Sequence, residues 1–237
     1  MREFVIMTDS DTEIPYTFAE AHNVPVFLMP YTLDGKESLF DLGKTTDYAG
    51  FYASLRAGAS ASTSTRSTYE IQCFFEDILK EGKDILYICF SSQLSAHYEL
   101  AEMARKAALE NYPAARIEIV DSLGIAMGAG LLVYHAVKQK EAGRSLDEIR
   151  QWLLDNRMRS LHFFSVDSLN YLKKTGRVSA VTATLGTMLD LKPILTVTRE
   201  GKIVAFDKVK GRKKVVKYLA DTVEKNYVED DICKELM

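Results

Sequence analysis

Glycine and proline are scarce, at 13 and 5 of 237 residues, which excludes a collagenous or low-complexity disordered chain. Cysteine is scarcer still. Cys73, Cys89 and Cys233 are odd in number, far apart and form no C-x-x-C pair, which argues against a disulfide framework or a zinc site and for a reducing compartment. Long apolar runs are missing too. The N-terminal run is only Phe4 to Met7, too short for a signal peptide. The longest uncharged stretch, Ser122 to Val137, is interrupted by Gly, Ser and His and falls short of the roughly 20 apolar residues that span a bilayer. Nor is there an excess of one charge. Thirty basic residues face 33 acidic ones, for a net charge of −3, so nothing global points to nucleic acid. The expectation is a cytoplasmic protein. Hydrophobic residues make up 47% and charged residues 27%, and a chain this long buries about 70% of its unfolded surface without a metal or disulfide staple.

Short apolar runs alternate with amphipathic stretches. Strands are expected at Phe4–Met7, Val24–Met29, Asp84–Phe90 and Arg116–Val120. Helices are expected near Pro15–His22 and over Thr45–Ala57, Thr68–Lys80, Gln93–Asn111, Gly124–Lys140 and Leu146–Asn156. Uninterrupted apolar strands alternating with helices predict a mostly parallel sheet covered on both faces. The later part differs. It reads as a strand at Leu161–Val166, helices at Ser168–Lys174 and Val178–Leu189, a hairpin turning at Glu200-Gly201, and a helix at Arg212–Asn226. The expected organisation is an α/β lobe over residues 1–156 and a smaller α+β lobe over 157–237. The second lobe has few strands and ends in a polar stretch, so a truncated sequence is expected. Ser60–Thr68 (SASTSTRST), between two helices, reads as a loop, either plain or hydrogen-bonding.

Ligands of open parallel sheets sit outside the carboxyl ends of the strands. Three of the four first-lobe strands end in hydroxyls or carboxylates: Thr8-Asp9-Ser10, then Ser91-Ser92 followed by Leu94-Ser95, then Asp121-Ser122. Each precedes a helix, whose free N–H groups favour an anion. One reading is plain N-capping, for which Ser, Thr and Asp are the favoured residues. The other is a small-anion site of neutral hydroxyls suited to a carboxylate or phosphate oxygen. Ser91, Ser92 and Ser95 exceed what one cap needs, and both readings stay open on this ground.

Other chemistries find less support. There is no P-loop and no G-x-S-x-G. Gly124-x-x-x-Gly128-x-Gly130 does not match the dinucleotide fingerprint and reads as close helix–sheet packing. Ser95 and His97 are two residues apart, about 200° around a helix, and do not share a face. His135 reads as a packed core residue. Asp9-Ser10-Asp11 after an apolar strand resembles the haloacid-dehalogenase phosphotransferases, with Asp9 as nucleophile, Asp11 as acid and magnesium between carboxylates. That family's following Thr is replaced by Glu13, and no later strand ends in an acidic pair.

The motifs taken in order resemble the DegV family of bacterial fatty-acid-binding proteins. Asp9-Ser10-x-x-Glu13-Ile14-Pro15 resembles the family's opening D-S-x-x-D-L/I-P. Thr63-Ser64-Thr65-Arg66-Ser67 resembles its T-S-Q-P-S loop, and Ser91-Ser92-Gln93-Leu94-Ser95 its S-S-x-L-S-G-T. Asp121-Ser122 with Gly128-x-Gly130, the Leu169–Ser179 segment, Leu191-Lys192-Pro193-Ile194-Leu195 and the basic Lys210-Gly211-Arg212-Lys213-Lys214 follow in family order. Arg66 stands where the family has Pro, Ala96-His97 where it has Gly-Thr, and Thr175 where it has Gly. The family's chain continues further, with a His-Gly motif near the ligand.

The resemblance implies two α/β lobes with a long-chain acyl group between them and no catalytic residue, metal or cofactor. It implies a carboxylate held by hydroxyls, with Thr63 and Ser95 as the closest contacts and Ser64, Ser91 and Ser92 in support. It further implies delivery to a separate kinase subunit that makes an acyl phosphate, which can feed phospholipid synthesis. Lys208, Lys210, Arg212, Lys213 and Lys214 put five cations in seven residues. They read as a solvated helix start or, by the resemblance, as the kinase-docking patch, with Lys210, Arg212 and Lys213 at its centre. Membrane contact would be at most transient. The alternatives carried forward are the Asp9/Asp11 phosphotransferase and a carrier of a non-lipid carboxylate.

Overall fold

A computed structural model of the chain describes residues 2–166, 176–177 and 191–227. The chain divides into two compact units, Met1–Ser160 with Arg199–Lys202, and Leu161–Thr198 with Ile203–Met237.

The first unit is built on a parallel sheet of β1 (Phe4–Asp9), β2 (Val26–Phe27), β6 (Asp84–Cys89) and β7 (Ile117–Asp121), in the order β2-β1-β6-β7. Alternation along each strand decides which face a side chain joins. Val5, Met7, Ile85, Tyr87, Cys89, Ile117 and Ile119 pack under α3 (Thr68–Lys80) and α4 (His97–Asn111). Ile6, Leu86, Ile88 and Val120 pack under α1 (Tyr16–Ala21), α5 (Ala126–Glu141) and α6 (Leu146–Asn156). Burial on both faces is why these strands are continuously apolar.

Capping fixes two of the helix starts. Ser67 and Glu70 form a reciprocal capping box on α3, and Ser145 and Glu148 form one on α6. Gly130 on α5 confirms the packing role read for its glycines. A Cβ there would lie 2.7 Å from the Thr12 carbonyl oxygen and 3.1 Å from Ile14 Cγ2. His135 is 7% exposed, with its ring 5.5 Å from Trp152, and is a core residue as expected.

A three-stranded antiparallel sheet was not anticipated from the sequence. It comprises β3 (Pro30–Leu33), β4 (Lys36–Leu39) and β5 (Ala61–Thr63), ordered β4-β3-β5. Part of the Ser/Thr-rich segment is therefore strand and not loop: Tyr31 pairs with Thr63, and Leu33 with Ala61. The hairpin β3–β4 turns at Asp34-Gly35, both at positive φ (48° and 80°), the backbone that a two-residue turn demands. Helix α2 (Tyr48–Arg56) lies between β4 and β5 in the chain, capped by Asp47.

The second unit holds an antiparallel sheet of β8 (Phe163–Ser165), β9 (Leu191–Val197) and β10 (Ile203–Lys210), ordered β10-β9-β8. Helix α7 (Arg212–Asn226) packs on it. Leu195 is the buried centre, against Phe164, Val166, Ile203 and Ala205. The expected hairpin across Glu200-Gly201 is present, with Ile203 opposite Val197. The helices expected at Ser168–Lys174 and Val178–Leu189 lie outside the described residues, as does Cys233. Cys73 and Cys89 are free thiols. Among the described residues no helix is long and apolar enough to cross a membrane.

Candidate functional site

The connections from β1 and β6 leave toward opposite sides of the sheet, β1 to its neighbour β2 and β6 to its neighbour β7. The carboxyl ends of β1 and β6 therefore flank the topological switch point where α/β sheets take ligands. The register places Thr8 beside Ile88 and Cys89 beside Asp121, so the three polar strand ends lie side by side.

Much of that polarity is committed to holding the loops. Ser10 Oγ accepts from the Met29 amide at 2.9 Å. Asp121 Oδ1 accepts from the amides of Ser92 (3.2 Å) and Leu123 (3.0 Å). Ser91 is fully buried. Its hydroxyl donates to the Gly201 carbonyl at 2.9 Å and accepts from the Gln93 amide at 3.3 Å. Ser122 is turned back on Gly124.

Four hydroxyls at this edge keep an unassigned proton among the described residues. Ser95 Oγ accepts from the His97 amide at 3.2 Å but donates to no described group. Ser92 Oγ accepts from Gln93 Nε2 at 3.3 Å and likewise keeps its proton. Thr63 and Ser64 are exposed. Helix α4 begins at His97 with Ala96 as its cap, four residues later than expected. Ser95 thus sits before the helix, half-buried, where its hydroxyl closes a turn onto the His97 amide.

Thr63 lines a cavity of about 270 Å³ together with Asp11, Glu13, Met29, Tyr48 and Phe51. The Ser/Thr-rich segment therefore meets the edge that carries the end of β1. A larger cleft of about 890 Å³ includes Glu3 and Lys83, at the amino ends of β1 and β6. It lies at the wrong end of the sheet for a switch-point ligand.

Asp9 is fully buried and held by three donors. Oδ1 accepts from the Asp11 amide (3.1 Å), and Oδ2 from the Phe90 amide (3.0 Å) and the Tyr87 hydroxyl (2.9 Å). With no exposed surface and both oxygens engaged in holding neighbouring groups, this carboxylate is placed as a structural anchor and not as an open nucleophile, which counts against the phosphotransferase reading. Asp9, Cys89 and His97 offer atoms within 4.8 Å of one another, a spacing a metal ion could use. The Tyr87 hydroxyl, however, bonds to Asp9 and His97 from among them. Burial also pushes the Tyr87 and Cys89 protons to higher pKa, helped by the Asp9 charge, and holds His97 below its ordinary value. The cluster is a buried hydrogen-bond knot in which Tyr87 and Cys89 keep their protons. Tyr87 is absent from the sequence reading, which weighs His97 only as a dyad partner of Ser95; the available signal is a tyrosine inside the otherwise apolar run DILYICF.

Lys208, Lys210, Arg212, Lys213 and Lys214 are all exposed, at the end of β10 and the start of α7. The first turn of α7 contains no acidic residue and its cap, Gly211, supplies no side chain.

The family model described as uncharacterised protein, DegV family, matches residues 3–234. The chain belongs to the DegV family. A DegV domain-containing protein of Clostridium perfringens is 39% identical over 228 residues, and one of Lactococcus lactis is 35% identical over 229. Each match covers 96% of this chain and 78% of the relative. Solved DegV-family structures share the fold. A fatty-acid-binding member from Thermus thermophilus superposes with a TM-score of 0.83 at 28% identity, over 95% of this chain and 78% of that one. A fatty-acid-binding member from Streptococcus agalactiae gives 0.83 at 26%, over 98% and 80%. A stearic-acid-binding protein from Eubacterium ventriosum gives 0.85 at 25%, over 94% and 76%.

Proposed function

We propose that this chain is a cytoplasmic carrier of a long-chain fatty acid. It holds the carboxylate with Ser/Thr hydroxyls and presents the acid to a separate kinase for acyl-phosphate formation. The observation that carries the reading in this chain is the set of hydroxyls on Thr63, Ser64, Ser92 and Ser95, whose protons no described group accepts, at the sheet edge where ligands bind. Family membership and the fatty-acid binding of solved relatives support the ligand class. Ser91, with its proton on Gly201, takes the supporting role of fixing the loop.

Neutral donors suit delivery. They hold a carboxylate by charge-assisted hydrogen bonds without a salt bridge that would retain the more highly charged acyl phosphate. Hydrocarbon burial supplies most of the affinity, at most about 0.8 kcal/mol per CH₂ before the costs of binding. The carrier itself performs no catalysis in this scheme, and the product can enter phospholipid synthesis. The exposed Lys210, Arg212 and Lys213 dock the kinase and face the phosphates of its nucleotide.

Titration with stearate tests the carboxylate contacts. Thr63→Ala and Ser95→Ala each remove one charge-assisted hydrogen bond, worth about 1.5–3 kcal/mol, so Kd rises about ten- to hundredfold in each. Wild-type affinity in both variants would refute the assignment.

A further inference from the structure

We infer that Asp9, Tyr87 and His97 form a buried clamp that positions the Ser91–Ser95 loop and thereby sets the ligand-holding geometry. The loop leaves β6 at Phe90 and ends where α4 starts, at His97. Both of its ends are tied to one carboxylate. At the entry, the Phe90 amide donates to Asp9 Oδ2 at 3.0 Å. At the exit, His97 Nε2 lies 2.7 Å from the Tyr87 hydroxyl, which lies 2.9 Å from the same Asp9 oxygen. All three residues have no exposed surface. Phe27 stacks on the imidazole with ring centroids 5.6 Å apart and 16° between planes, and the Arg66 guanidinium lies 4.7 Å from the centre of the Phe27 ring.

Hydrogen-bond arithmetic fixes the proton positions. Tyr87 has one O–H, with the Asp9 carboxylate, His97 Nε2 and the weakly accepting Cys89 Sγ in reach. The charged carboxylate is the strongest acceptor, so the phenol donates to Asp9. His97 must then carry its proton on Nε2 and donate to the Tyr87 oxygen, giving the chain His97 to Tyr87 to Asp9. The other nitrogen, Nδ1, is buried without a partner. A bare lone pair there costs less than a stranded N–H would, and the same tautomer results. The imidazole thus points its single donor at the knot and orients the first turn of α4, whose amide in turn holds Ser95 Oγ at 3.2 Å. His97 and Tyr87 are positioning residues. They reach the ligand only through the loop, and Ser92 and Ser95 move when the clamp slackens.

Hydrogen exchange and stearate titration on the full chain test this with three variants. Tyr87→Phe keeps the ring and its packing but cuts the chain. His97→Leu removes the donor. His97→Gln retains an N–H where Nε2 stood. In Tyr87→Phe and His97→Leu, amides of residues 91–95 exchange about tenfold faster, while those of β7 keep their wild-type rates. Stearate Kd rises about tenfold in the same two variants, and His97→Gln restores both readouts to near wild type. A lost core bond that merely lowered global stability would speed all strand amides and leave affinity of the folded protein unchanged. Unchanged loop exchange in Tyr87→Phe and His97→Leu overturns the clamp. A loosened loop with unchanged stearate affinity overturns its positioning role. The ligand arm rests on the fatty-acid reading but the exchange arm does not: a wild-type protein that ignores stearate while its variants loosen the loop refutes that reading and upholds the clamp.

Discussion

Gly201→Ala is the sharpest single perturbation of the candidate site, because backbone and contact both oppose it. Gly201 has φ of +83°, where a side chain costs about 1–2 kcal/mol. An added Cβ would also overlap Ser91 Oγ and come within 3.1 Å of Leu123 Cδ2 and 3.3 Å of Leu123 Cα. Ser91 can escape only by rotating, which breaks its 2.9 Å bond to the Gly201 carbonyl at a net cost of about 1 kcal/mol. The variant is therefore less stable than wild type by about 2–3 kcal/mol, read as a lower urea midpoint at unchanged slope. Ser91→Ala alone costs the hydrogen bond. In the double variant the overlap with Ser91 Oγ is gone while the backbone strain and the Leu123 contacts remain, so the two changes combine to less than their sum. A Gly201→Ala protein within about 0.5 kcal/mol of wild type, the ordinary range for surface changes, would refute the reasoning.

Other outcomes follow from the same structure. Reversing Lys210 and Arg212 to Glu leaves stearate affinity intact, weakens acyl-phosphate formation in a coupled kinase assay, and removes the salt sensitivity of the wild-type association; an unchanged coupled rate would leave the patch as solvated surface. Bonds from the Ser67 amide and hydroxyl, with Arg66 beside it, lower the Glu70 pKa to about 2. A depressed carboxylate contributes stability above its unfolded value of 4.5 that is lost as pH falls toward about 2. Because Glu70 is largely exposed, screening limits this to about 0.5 kcal/mol. Urea unfolding of Glu70→Gln at pH 7 and pH 3 should show a smaller acid loss than wild type, and equal losses would contradict the assignment.

Where burial and capping spoke together, the sequence was legible. Thr68–Lys80, Leu146–Asn156 and Arg212–Asn226 are helices at the residues expected, the first two because Ser67/Glu70 and Ser145/Glu148 mark their starts. The parallel sheet followed from apolar runs that only two covered faces explain. The small sheet β4-β3-β5 escaped because its strands are three or four residues long and half exposed, leaving almost no alternation to read. Its one strong signal is the turn pair Asp34-Gly35. At the site, residue types were legible but proton commitments were not. Nothing local distinguishes Ser91, turned to a carbonyl 110 positions away, from Ser92 and Ser95 beside it. His97 was rejected as a dyad partner of Ser95 for want of a shared helical face, yet Ser95 is not helical at all.

Native mass spectrometry of the purified full chain tests the central claim most directly. The account predicts bound species heavier than the bare chain by the mass of a long-chain fatty acid, lost on denaturation and recovered as free acid by extraction. Bare protein that also takes up no stearate on titration, or an adduct with the mass of a non-lipid carboxylate, would contradict it.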